Sequence, residues 1–217
     1  DKEVNLQGSA NNKLEVHGNL ILINPGILDM SDASNSTPDG QLYLYGNWTN
    51  YQETQFKQGN STVHFVGTSP QTVFCTDKTE IFFNVNLANA NNPFTTNSFS
   101  SDLIAEGSLT LSNDSDLTIK SGHYALATKN LSVGTGSELI IEHTGSLVQT
   151  DDTGTVSNSG TIKVNKTTTP FEKYDYTYWS SPIVTPTIAS TFPTWRTDYA
   201  FYYDPTKFVD LVTINQG

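Results

Sequence analysis

Apolar and polar positions alternate in short runs along most of this chain, and the runs recur. The stretch LTLSNDSDLTIK (109–120) lies over LSVGTGSELIIE (131–142) with a shift of 22, so that Leu109, Leu111, Leu117 and Ile119 correspond to Leu131, Val133, Leu139 and Ile141. Each half contains two brief apolar runs, eight residues apart, with a polar turn between them. A strand that short cannot bury its side chains alone, but it can when stacked on its own copy one coil away. Self-similarity at a fixed period of about 20–50 residues marks a solenoid.

The period extends in both directions. A shift of 22 brings Leu109 to Leu87, Leu87 to Phe65, Val85 to Val63, and Leu20 and Leu22 to Leu42 and Leu44. Going forward, Ala125 meets Leu147, Leu139 falls one short of Ile162, and the step from Leu42 to Val63 slips by one residue. The pattern predicts an all-β chain in which residues 1–169 form a parallel β-helix of about seven rungs and about 22 residues per rung, right-handed as parallel crossovers are. Residues 29–40, 50–60 and 88–101, rich in turn formers, are expected to project as loops along one side. Phe82 beside Phe83 makes both faces of its strand apolar, which marks a contact with a covering element or partner. Asn19, Asn86, Ser108 and Asn130 are each the turn residue before an inward Leu, and they predict a polar side-chain ladder.

At residues 167–195 the character changes. Prolines and aromatics become dense, Tyr174, Tyr176 and Tyr178 alternate before Trp179, and the register is lost. A boundary is expected near residue 169, with residues 170–217 a cap or the truncated start of a β-sandwich-like domain.

Composition changes the picture in three ways. Only 35% of residues are hydrophobic, which fits an elongated fold with a thin core. Eleven basic against 22 acidic residues give a net charge of −11, which argues against nucleic acid and anionic membrane surfaces as partners. Cys75 stands alone, so no intrachain disulfide forms. No run reaches the about 18 apolar residues of a membrane span. The opening DKEVNLQ has no leader character, which leaves a cytoplasmic chain or a mature or trimmed piece of a secreted protein, and the composition favours the second.

Candidate chemistry is sparse. The sequence contains no nucleophile elbow, zincin, P-loop or Cys/His metal spacing. Asp29, Asp32 and Asp39 share a Ser- and Asn-rich stretch whose oxygens suit Ca²⁺; Asp114 with Asp116 and Asp151 with Asp152 are lesser candidates. No other cofactor is expected. Glu138, Glu142 and Asp116 are the carboxyls that could line one face as a glycosidase pair. Tyr43, Tyr45, Trp48 and Tyr51 lie close enough in sequence to stack on sugar rings, or else to pack beneath residues 50–60. His17, His64, His123 and His143 fall at outward or turn positions.

Two segments carry a resemblance. GNWTNYQETQFKQGNSTVHFVGTSPQTVF…FFNVNLAN (46–89) resembles a pattern common in secreted surface proteins of Bacteroidetes, and YTYWSSPI (176–183) resembles a motif of large flavobacterial adhesins and gliding-associated proteins. The resemblance implies export by the type IX secretion system, a cell-surface or secreted location, and a β-helix context. The expected function is a non-enzymatic adhesin or stalk. Its partners would be a surface polysaccharide or another surface protein, with the secretion machinery met during export, and it would not insert in a membrane. The alternatives are a carbohydrate-active enzyme (a polysaccharide lyase or glycosidase), a carbohydrate-binding module, and a component of a larger surface assembly.

Overall fold

The computed structural model describes residues 3–5, 13–31, 40–51, 56–76, 79–90, 93–99, 102–167, 170, 201–204 and 207–210. The chain divides into two compact units, residues 1–167 and 168–217. In the second unit the described residues form one antiparallel pair, Phe201–Asp204 with Lys207–Asp210.

The first unit is a parallel β-solenoid with three faces. The long sheet runs unbroken through seven strands: Lys13–Val16, Gln41–Leu44, Thr62–Phe65, Asn84–Leu87, Leu109–Leu111, Leu131–Val133 and Val156–Asn158. The second face comprises Leu20–Leu22, Trp48–Asn50 and Val73–Cys75, then a separate sheet of Phe94–Thr95, Leu117–Ile119, Glu138–Ile141 and Thr161–Val164. The third comprises Glu3–Asn5, Ile27–Asp29 and Phe56–Lys57, then Ile81–Phe82, Leu103–Ala105, Tyr124–Ala127 and Ser146–Val148. Among the described residues, therefore, only the long sheet carries strand pairing from the first three coils into the rest.

Each coil turns its corners on short polar segments. Asn113 and Asp114 both adopt positive φ (53° and 57°) in the turn Ser112–Ser115, as a type I′ turn requires. In the next coil Gly136 takes φ 81° at the matching turn. The strands between are short and alternate strictly. Their inward residues, such as Leu109, Leu111, Leu117, Ile119, Leu131, Val133 and Leu139, are at most 2% exposed. Burial of that kind contributes roughly 1.5–3 kcal/mol for each large aliphatic side chain. Inward alanines on the third face, Ala105, Ala125 and Ala127, leave room for the larger side chains opposite.

The register confirms much of the expected pairing: Leu109 with Leu131, Leu117 with Leu139, Ala125 with Leu147, Leu139 with Ile162, Val63 with Val85, Phe65 with Leu87 and Leu42 with Val63. Two expectations are corrected. Leu109 pairs with Val85 and not Leu87, because residues 88–101 lengthen that coil by two. Leu42 and Leu44 pair with Leu14 and Val16, and Leu20 instead meets Trp48 on the next face. The steps along the long sheet, read at Leu14, Leu42, Val63, Val85, Leu109, Leu131 and Val156, are 28, 21, 22, 24, 22 and 25 residues.

The expected projecting loops are also revised. Residues 52–55 and 32–39 lie outside the described residues, but Phe56 returns to the core, and so do Phe94, Thr96 and Phe99 of 88–101, the last two in a 3₁₀ turn at Thr96–Phe99. Phe82 is fully buried rather than exposed, while Phe83 is half-buried under the Lys129 ammonium, 5.4 Å from its ring. Together Trp48, Phe56, Phe65, Phe82, Phe94 and Phe99 form one aromatic cluster with centroids 4.8–6.0 Å apart. It fills the solenoid interior where the second and third faces break.

Candidate functional site

Strand parity on the second face places Leu22, Trp48, Asn50, Val73 and Cys75 inside. The same parity turns Ile21, Thr49 and Phe74 outward in three successive coils, since Ile21 pairs with Thr49 and Thr49 with Phe74. Ile23 and Tyr51 follow at the strand ends. Ile21, Ile23, Tyr51 and Phe74 are 55%, 57%, 51% and 44% exposed, and the Tyr51 and Phe74 rings meet edge to face at 6.0 Å. No charged side chain belongs to this set. Exposed large apolar side chains grouped on one flat face are uncommon on a soluble protein and mark contact surfaces. This apolar face, on a chain of net charge −11, is the candidate contact surface.

The outward face of the long sheet differs. Tyr43 lies between the Lys13 ammonium, 4.2 Å from its ring centroid, and the His64 ring, stacked at 4.2 Å and 5°. Tyr45 stacks on His17 at 4.4 Å and 17°. Gln41 Oε1 lies 2.6 Å from His64 Nε2, and Asn86 Nδ2 lies 3.0 Å from His64 Nδ1. Burial, reinforced by the positive charge of Lys13, depresses the His64 pKa from 6.5 to about 4.

The four aromatics proposed for sugar stacking are thus dispersed. Tyr43 and Tyr45 lie on the long sheet with ring faces covered by neighbouring side chains, Tyr51 lies on the second face, and Trp48 is fully buried. Trp48 presents no ring to a ligand: its parity points it inward, and its indole N–H donates to Glu80 Oε2 at 2.7 Å.

Of the calcium candidates Asp29, Asp32 and Asp39, the described residues include Asp29. Asp29 sits in a strand, buried, with its carboxylate held by Lys57 Nζ at 2.9 Å and by Ser31 N at 3.0 Å. Burial pushes its pKa up, but the Ser31 and Lys57 hydrogen bonds outweigh this and hold the carboxyl below the usual aspartate range. Asp32 and Asp39 lie outside the described residues. Among the described residues no group of three or more His, Cys, Asp or Glu is placed to hold a metal ion.

The candidate acid–base carboxyls link coil to coil. Asp116 Oδ1 accepts from Glu138 N at 2.8 Å, Glu138 pairs with Lys163, and Glu142 takes Lys120 Nζ at 2.8 Å and Ser121 N at 3.0 Å. Asp151 caps its own turn through Thr153. Of the other histidines, His17 lies 3.2 Å from Glu15, His123 3.4 Å from Asp102, and His143 Nδ1 accepts from Thr167 N.

The polar ladder is real but occupies two columns. One runs from Thr62 through Asn84, Ser108 and Asn130 to Thr155. Asn84 Oδ1 accepts from Ser108 N at 2.9 Å, and Asn130 Oδ1 from Thr155 N at 3.0 Å. The other joins Asn19 to Asn47 and Asn47 to Thr72, each amide oxygen accepting a backbone N–H at 2.9 Å. Asn86 belongs to neither and lies on the strand beside His64.

Sequence reasoning missed four buried polar side chains, Glu80 with Asn50 and Gln71 with Asn89. Glu80 Oε2 accepts from Trp48 and, at 2.9 Å, from Asn50 Nδ2. Gln71 donates to Leu44 O and Gly46 O and accepts from Gly67 N and from Asn89 Nδ2. Nothing local in the sequence marks Glu80, whose partners lie 30 and 32 residues away. The outward Ile21 and Ile23, by contrast, were legible in the alternation of NLILI.

No curated protein and no solved structure matches the chain. Among the described residues no helix is long and apolar enough to cross a membrane. One family profile, described as Domain of unknown function (DUF8693), matches residues 70–217, from just before the strand Val73–Cys75 to the end of the sequence. That stretch is well over half of the chain, which therefore belongs to the DUF8693 family.

Proposed function

We propose that this chain is a non-enzymatic, cell-surface or secreted stalk or adhesin segment, in which the solenoid acts as a rigid rod that holds a contact face toward a surface polysaccharide or another surface protein. The observation that carries the reading is the exposed apolar face of Ile21, Ile23, Tyr51 and Phe74 on a stiff body. Stiffness follows from the unbroken seven-strand ladder and from corner amides that hydrogen-bond coil to coil. The non-enzymatic part is supported by the engagement of Asp116, Glu138 and Glu142 in links between coils. A surface or secreted location rests on the composition and on the resemblance carried by residues 46–89 and 176–183, as does type IX export.

The test is a glycan array, with intact cells as a second target, probed with the full chain with and without chelator. Binding by the parent chain that weakens about tenfold or more in Phe74→Ser and Tyr51→Ser supports the reading. Binding unchanged in both variants removes the face from it, and release of soluble product from a polysaccharide replaces it with the enzyme alternative.

A further inference from the structure

The junction between the third and fourth coils is built unlike the others. On the second face, among the described residues, no strand pairing joins Val73–Cys75 to Phe94–Thr95; on the third, none joins Phe56–Lys57 to Ile81–Phe82. Backbone continuity is carried by one strand pair of the long sheet, Thr62–Phe65 with Asn84–Leu87. Elsewhere the junction is held by side chains: Glu80 to Trp48 and Asn50, Asn89 to Gln71 and to Ser69 O, and Gln58 Nε2 to Glu106 at 2.7 Å. The aromatic cluster fills the interior beneath.

On the outer face of that single strand pair lies a directed chain of hydrogen bonds. Ser112 Oγ donates to Asn86 Oδ1 at 2.8 Å. The other amide atom of Asn86, Nδ2, faces His64 Nδ1 at 3.0 Å. A donor facing Nδ1 requires the neutral ring with its proton on Nε2, which then donates to Gln41 Oε1. A second proton on His64 would set N–H against N–H. Relief would require Asn86 to turn its amide, with Ser112 Oγ changing from donor to acceptor, or the ring to leave the face.

We propose that the solenoid is two stacks of coils joined at one strand pair, and that His64 and Asn86 form an acid-sensitive bolt across the joint. The groups facing His64 support the assignment. From the strand before come Gln41 and the stacked Tyr43, beyond Tyr43 stands Lys13, and Glu15, which would favour a charged ring, is already paired with Lys13 and His17. From the strand after comes Asn86 alone, which has no titratable group. No carboxylate among the described residues touches the ring, so nothing there offsets a positive charge. The inference does not depend on what the rod binds.

The experiment uses the full chain. The ¹⁵N shifts of the His64 ring are followed from pH 7.5 to 4, together with hydrogen exchange of two equivalent amides. Ala88 N, bonded to Phe65 O, reports the joint; Gly134 N, bonded to Leu111 O, reports an ordinary junction. The expected result is the Nε2–H tautomer at neutral pH and a protection factor that falls about tenfold more at Ala88 than at Gly134 on acidification. His64→Gln is expected to abolish that difference; should the variant not fold, the tautomer and the exchange contrast in the parent chain decide the matter. An Nδ1–H tautomer, ordinary titration near pH 6.5, or equal loss of protection at the two amides overturns the proposal.

Discussion

Trp48 and Glu80 allow a sharp test of how the joint is held. The indole N–H reaches the carboxylate at 2.7 Å, both residues are buried, and the Trp48 ring meets Phe56 and Phe82 edge-on at 4.8 and 5.2 Å. Trp48→Phe keeps an aromatic ring in that cluster but removes the donor and part of the volume, and should cost about 2–3 kcal/mol. Glu80→Gln keeps an oxygen acceptor but loses the charge, and should cost about 1–2 kcal/mol. If the hydrogen bond is the principal link, the double variant costs less than the two singles together, with a coupling of about 1–2 kcal/mol. Urea unfolding of the four proteins, followed by far-ultraviolet circular dichroism, gives the cycle from the midpoints and slopes. Strict additivity within about 0.3 kcal/mol would refute the claim that this hydrogen bond helps to hold the joint and would leave Trp48 as packing alone.

The remaining predictions concern the coils, the acid side and calcium. Leu109→Ala, at a fully buried position in the middle of the long sheet, should cost about 3–5 kcal/mol, whereas Ile162→Ala, half-buried in the last coil, should cost about half that or less; thermal melts rank the two. Gly122 has φ 82° and open space where an added methyl would stand, so Gly122→Ala should cost about 1 kcal/mol from backbone strain alone, and a neutral result in denaturant titration would contradict it. Because the Asp29 carboxyl is held below its ordinary range, its contribution to stability is full above the unfolded value near 4 and is lost as pH falls through the folded value. Lys57→Met should move that loss to higher pH in melts taken between pH 3 and 6. Since Lys57 and Ser31 already engage both oxygens of Asp29, millimolar Ca²⁺ should leave the melting temperature within about 1 °C, and a chelator-reversible rise would restore residues 29–40 as a calcium site.

The residues that carry the family resemblance gain a physical reading from the fold. Asn47 holds a corner, Trp48, Phe56, Phe65 and Phe82 fill the aromatic cluster, Gln71 and Asn89 bond across the joint, and Thr62 and Asn84 begin a ladder that reaches Thr155. That pattern is a signature of how the coils are joined, which explains why the motif speaks to architecture more than to a ligand.

The sequence by itself determined the class of fold and the inward or outward sense of most strand residues, because strand parity is local and has a period of two. Both register errors were even, two residues at Leu87 and six at Leu20, so each misplaced leucine was still read as inward. Which strand stacks on which is set by loop length, and residues 29–40 and 88–101 add length that no hydrophobic pattern records. Between 103 and 148, where turns hold their length, the pairings were legible residue by residue. Tertiary structure alone decided the rest. It brought Glu80 to Trp48 across 32 residues, and grouped Ile21, Tyr51 and Phe74 from three coils on one face. Those contacts join residues far apart in the chain, and only the winding of the backbone makes them neighbours.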